Sequence, residues 1–328
     1  MPSLLDMPDI VMKLVLEKSD FRSIQNLRKS CRDLRHFIDD VKPESQLSQI
    51  YIQQDLFQTH LTLEIDHRNF ALTYQEWDDG CKVKRDRVSE KCLKDSDFLE
   101  VACRDIELIL DSSQKSNVIE KFEVFLLGQL KLPSSKLVDN LKTILEPRNL
   151  KVKTLKIHTS EGHDKVMKFL PYLDPETLEH IILRLKNENV EFDFSEISEL
   201  AQWKNAKKLV MNNFLVPTHD FSISNFAHFR NVSMEIQSLT MQMIVDLKKA
   251  FLSHNNMESF EIGFQVYQFF FGELDEFLGI SSIPRQSKWF FRIPEDTQTF
   301  LSIRFDHDDR VCFKRVESGE IPQNAIIY

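Results

Sequence analysis

The chain has 328 residues, enough for one large domain or for a small module followed by a larger one. Apolar residues make up 42% and charged residues 28%, with 26 Phe but 7 Gly, so a core is affordable while glycine for phosphate-cradling loops is scarce. The 42 Lys+Arg against 51 Asp+Glu give a net charge of −9, which leaves no basic excess to displace counterions from a nucleic-acid backbone.

The N-terminal stretch from Met1 to Asp9 carries two acids where a signal peptide needs positive charge. No apolar run reaches membrane-spanning length, and five dispersed cysteines suggest no disulfide framework. The expectation is an intracellular, reduced protein that binds neither membrane nor nucleic acid.

In chain order, Pro8 can open a helix because its missing N–H would be unpaired there anyway, and Asp9 suits the positive helix end. Ile10, Val11, Leu14 and Val15 follow at helical spacing. Asp20 is a natural N-cap for a second helix through Ile24, Leu27, Cys31, Leu34 and Ile38. Two short helices cannot bury all these side chains against each other, so some of that surface must meet the rest of the chain or another protein.

Residues 45–112 read as strands: around Ile50 and Ile52, over Leu61–Ile65 and over Phe70–Tyr74, with a turn at Asp78-Asp79-Gly80. The basic run Lys82, Lys84, Arg85 and Arg87 reads as a solvated hairpin edge. From about residue 118 a small apolar pattern recurs, centred on Leu155, Ile181, Leu209, Met234 and Phe260, at intervals of 25–28 residues. Amphipathic stretches lie between, at Val166, Phe169 and Leu170, at Ile197, Leu200 and Ala201, and at Ile244, Leu247 and Phe251. A strand and a helix per period is the signature of a leucine-rich-repeat-like solenoid, here irregular for want of an Asn ladder.

No phosphate-binding loop, nucleophile elbow or zinc motif occurs. Asp306-His307-Asp308-Asp309 could hold a cation, yet strand-like alternation on both sides makes it the polar tip of a hairpin. Trp203 reads as a core anchor and the Asn231-Val232-Ser233 sequon as chance on a strand. Tyr267–Phe271 is dense enough in aromatics for one partly exposed patch.

Two stretches carry a resemblance. Leu4-Leu5-Asp6-Met7-Pro8-Asp9-Ile10-Val11, then Val15-Leu16, then Ile24 to Arg35 resemble an F-box, with Met7 in place of the usual Leu before Pro. Phe169–Glu179, with its Leu170-Pro171-Tyr172-Leu173, and Leu200–Leu209, with its Gln202-Trp203-Lys204, resemble the FTH domain of nematode F-box proteins of the A type. So do the segments around Phe229, Leu239 and Leu247, and the closing Phe290–Pro294 and Lys314–Glu317. The segment from Phe214 to Asn225 is longer than the family pattern.

The fold expected is therefore α/β: a helical F-box at 1–42, a strand-rich connecting region at 43–117, and an FTH-type repeat domain with C-terminal strands at 118–328. The resemblance implies a substrate-recognition subunit of a Skp–cullin–F-box ubiquitin ligase, cytoplasmic or also nuclear, which is not itself an enzyme and needs no cofactor or metal. Its partners would be a Skp-type adaptor, through it a cullin, and an unknown target protein on the repeat half. The implied adaptor-binding residues are Leu5, Met7, Pro8, Ile10, Val11, Leu14, Val15, Leu16, Ile24, Leu27, Cys31 and Leu34. Two rivals are a non-degradative scaffold with the same adaptor contact, and an enzyme using Asp306, His307 and Asp308.

Overall fold

The structure is a computed structural model; it describes residues 6–328 except 42, 44–45, 87–88, 113–116, 127–134, 161, 187–189, 220, 254–255, 270, 282–286, 295 and 307–308. The chain forms two compact units, Met1–Lys153 and Thr154–Tyr328.

The first unit opens with α1 (Asp9–Glu17), α2 (Phe21–Ser30) and α3 (Arg32–Val41). Pro8 precedes α1, and its carbonyl accepts from Val11 and Met12 N–H. Asp20 caps α2, its Oδ1 accepting from Ser23 N–H at 2.7 Å. The single second helix expected through Ile38 is in fact two. Cys31 is extended, its Sγ accepts from Leu34 N–H and its carbonyl from Arg35 N–H, so it starts a new helix. The break turns α3 back on α2, where Arg28 and Asp39 form a two-bond ion pair.

Strands β1 (Leu47–Gln54), β2 (Gln58–Ile65), β3 (Arg68–Trp77), β4 (Gly80–Arg85) and β5 (Ser89–Lys94) then form an antiparallel meander. Asp66 and His67, both at positive φ, make the two-residue turn between β2 and β3. Gly80 sits at φ +146°, where a Cβ would strike the Leu93 carbonyl. Of the basic run, Lys82, Lys84 and Arg85 lie on β4, inside the meander, with Lys82 paired to Glu90; β5 is the last strand, and Arg87 lies outside the described residues.

The 45–112 stretch also holds a helix that the strand reading passed over, α4 (Phe98–Ser112). Asp97 caps it, accepting from Leu99 and Glu100 N–H, and it buries Leu99, Ala102, Cys103 and Ile106. Beneath it, buried Tyr74 donates to Asp105 Oδ2 at 2.7 Å; burial, with the Asp105 charge beside it, pushes the phenol far above its ordinary pKa. Strand β6 (Ile119–Leu126) pairs in parallel with β1, and α5 (Ser135–Leu145) packs on α4. Arg148 ties these helices together, bonding Asp111 and Glu107 of α4 and the Ile144 carbonyl of α5.

In the second unit β7 (Val152–Thr159, its first two residues counted in the first unit), β8 (His180–Leu185), β10 (Lys208–Val216), β11 (Asn231–Leu239) and β12 (Ser259–Tyr267) run parallel, with two-residue β9 (Val190–Glu191) pairing to β10. Short connections α6 (His163–Met167), α7 (Ala201–Asn205) and longer α8 (Met241–Ser253) bury Val166, Trp203, Ile244, Leu247 and Phe251. After α9 (Phe271–Leu278), strands β13 (Lys288–Ile293), β14 (Asp296–Asp306) and β15 (Arg310–Glu317) close the unit antiparallel, β15 pairing with β12. The last residues add to β13: Arg292 N–H donates to Tyr328 O and Tyr328 N–H to Phe290 O.

The repeat is real as a parallel array, with one correction to its register. Leu155, Ile181, Leu209, Val232 and Phe260 stand opposite one another, so Val232 and not Met234 occupies the fourth position. The pairing slips between Val210 and Leu215, where Asn213 takes a left-handed backbone and its amide donates to the Leu185 carbonyl.

Candidate functional site

The helical triplet sorts its apolar residues into two sets. Met12, Leu16, Ile24, Leu34 and Ile38 are buried, and Leu16, Ile24 and Ile38 form a small core with Leu27, Phe37 and Val41 packed against it. Met7, Ile10, Val11, Leu14 and Val15 are exposed, Ile10 at 69% and Leu14 at 54%. Their spacing of three and four puts them on one face of α1 and its entry, a continuous apolar stripe. Pro8 and Cys31 are exposed beside these sets.

The residues the F-box resemblance implies for adaptor binding thus divide. Met7, Pro8, Ile10, Val11, Leu14, Val15 and Cys31 face outward. Leu16, Ile24 and Leu34 point inward because three short helices need them as their own core, and Leu27 is half-buried against it. Leu5 lies outside the described residues.

Why the strands do not cover the stripe is visible in the contacts. The triplet is held to the meander through the start of α2: Phe21 N–H donates to Asp66 Oδ2 at 3.0 Å, Arg68 pairs with Asp20 at 2.6 Å, and Phe21 meets Phe70 edge-on. Asp66 also accepts from Gln46 N–H, so one turn residue fixes both ends of the connection. The Ser23 N–H and hydroxyl, and then Arg68, hold the Asp20 carboxyl below the usual carboxylate range. Asp66 was missed in the sequence; its signal was an Asp-His dipeptide between two alternating runs.

In the second unit the two blocks that carry the FTH resemblance are bonded to each other. Buried Gln202 donates to the carbonyls of Pro171 at 3.1 Å and Leu173 at 2.7 Å. Trp203 is 0% exposed, as the core reading expected, and its indole N–H donates to Asn225 O while His228 bonds the Trp203 carbonyl. Burial pushes the His228 pKa down, outweighing that hydrogen bond. Ala201, expected on the apolar face, is exposed; Phe192, Phe194 and Gln202 fill the interior instead. Replacing Gln202 with Ala should destabilise the unit by about 1–3 kcal/mol, since two carbonyls lose their donor. Replacing it with Glu should cost more, because a buried carboxylate would face two carbonyls; chemical denaturation of both variants checks the order.

The structure describes the remaining candidates in part. Asp306 stands opposite Arg310 in the β14–β15 register with its carboxylate on Arg304, while His307 and Asp308 lie outside the described residues. Asn231 lies on β11 with its amide on Ser259 Oγ. Of the aromatic patch, Tyr267 is exposed, Phe269 is buried and Phe270 is not among the described residues. Among the described residues no group of His, Cys, Asp and Glu is placed to hold a metal ion, and no helix is long and apolar enough to cross a membrane.

The packed helical triplet thus carries an exposed apolar stripe, the mark of a protein-interaction surface, and the second unit is a mixed sheet, parallel over β7–β12 and antiparallel over β13–β15. Residues 4–46 match the F-box domain and residues 135–279 the FTH domain. The chain is an F-box protein with an FTH domain. No curated protein and no solved structure matches it.

Proposed function

We propose that the chain is the substrate-recognition subunit of a Skp–cullin–F-box ubiquitin ligase. F-box domains generally bind Skp-type adaptors, and the observation that carries the reading is the stripe Met7, Ile10, Val11, Leu14 and Val15. It leaves apolar side chains in water within the residues that match the F-box. A partner's apolar surface would remove that cost, at about 25 cal/mol for each Å² covered.

On this reading the adaptor brings a cullin, the FTH half holds a target, and the chain itself performs no chemistry. Its contribution is proximity: target lysines are kept at high effective concentration beside a ubiquitin-loaded enzyme supplied by other subunits. The complex would work in the cytoplasm, or also in the nucleus.

The test is affinity purification of the full chain, parent against Ile10→Asp with Leu14→Asp, read by mass spectrometry. Adaptor and cullin should appear with the parent alone, and target candidates with both. Those candidates should live longer when cullin is inactive; unchanged half-lives would favour the non-degradative scaffold.

A further inference from the structure

The parallel strands of the second unit bury one face and leave the other to solvent, and the open face is not uniform in charge. Arg184 of β8 and Lys208 of β10 are exposed there, and neither forms an ion pair among the described residues. Between them lie Ile182 and Val210, half-buried and directly opposite one another. Lys156 continues that row onto β7, next to Ile182. No acidic side chain occupies an outward position on β7, β8 or β10. On the neighbouring strands acids stand at Glu191 of β9, opposite Leu215, and at Glu235 on β11 and Glu261 on β12, where Arg310 already pairs with Glu261.

A cationic strip around an apolar centre therefore stands on a protein of net charge −9. Arg184 is opposite Asn212, four residues along β10 from Lys208, so the two cations are about 13 Å apart along the strands. An extended peptide spans that distance in about four residues. We propose that this strip reads the target protein, and that the segment it takes carries carboxylates on either side of an apolar side chain. The carboxylates meet Arg184 and Lys208, and the apolar group covers Ile182 and Val210. This inference names the partner chemistry of the substrate-recognition reading and rests on it. Opposite charge orients the segment and speeds its encounter, and the apolar pair holds it once seated.

The experiment uses the full chain and a dye-labelled peptide with two glutamates four positions apart around a central leucine. Fluorescence anisotropy should show binding that weakens steeply between about 0.05 and 0.3 M salt. Arg184→Glu with Lys208→Glu should lower affinity by about tenfold or more, whereas Arg184→Lys should retain most of it. Should the double variant melt below the parent, Lys208→Glu alone, at an exposed position, gives the same reading. Unchanged binding by a folded charge-reversed chain would overturn the proposal. So would equal binding of the same peptide with lysines for glutamates, or of a single-stranded oligonucleotide through the same two residues. Adaptor binding is measured in parallel: the strip variants should keep it, and the Ile10→Asp, Leu14→Asp chain should lose it while keeping the peptide. A parent chain that binds the peptide but no adaptor would remove the ligase reading and leave the strip standing.

Discussion

A chain carrying Ile10→Asp and Leu14→Asp should keep the parent's melting temperature and yet bring down no Skp-type adaptor. Both residues are exposed, so charging them removes no buried contact and leaves no cavity. Ile10 lies in the first turn of α1, where a carboxylate is favoured by the helix dipole. At an interface the same two changes place charges where an apolar partner surface would have to desolvate them. Losing one central apolar anchor typically costs 2 kcal/mol or more, so the pair should weaken binding by about a hundredfold or more. Leu16→Ala is the opposite control: buried in the triplet core, it should cost about 2–5 kcal/mol and weaken the adaptor through loss of folded helices. Purified chain and adaptor, with binding and thermal melts measured on the same samples, separate the two effects. Undiminished binding by the folded Asp variant would sink the stripe as the adaptor surface.

What the sequence made legible was local. Asp20 as a cap, Pro8 at the entry of α1, the two-residue turn at Asp78-Asp79 and the hairpin from Leu301 to Phe313 each follow from short-range chemistry and stand in the structure. The break at Cys31 did not show, because Ile24, Leu27, Cys31, Leu34 and Ile38 keep helical spacing straight through it. A thiol is a weak acceptor that gives no strong cap signal. Helix α4 was hidden among strands, although Asp97 before Leu99, Ala102, Cys103 and Ile106 is a cap followed by a helical stripe.

The fourth repeat slipped by two residues for a related reason. On a strand of period two, Val232 and Met234 face the same side and both are buried, so spacing alone cannot choose between them. The choice is made by the cross-strand pairing that sets Leu209 opposite Val232, a long-range contact with no local mark. Exposure was equally out of reach: Leu14 and Leu16 are the same residue type two positions apart, and packing against Ile24 and Ile38 decides which is core.

Trp203→Ala should be the most damaging single change in the second unit, at about 3–5 kcal/mol. The indole is fully buried where two successive repeats meet, with Phe194, Phe226 and Phe229 around it at ring separations of 5.1–6.5 Å. Its loss leaves a cavity and also strips the Asn225 carbonyl of its donor. Leu209, in register with Ile181 on one side and Val232 on the other, should cost about 2–5 kcal/mol when cut to Ala, and Ile181→Ala the same. Each repeat lacks a core of its own, so a hole at one interface should lower the melting of the whole array and not of one strand. For a unit of this size the Trp203→Ala loss corresponds to a fall of roughly 6–20 °C in Tm. Ile181 and Leu209 touch across one pairing, so the double variant should depart from the sum of the singles, while either combined with Leu301→Ala on β14 should add more nearly. Calorimetry of the full chain reads all of these; a Trp203→Ala melt that coincides with the parent's would mean that the repeats do not rely on that interface.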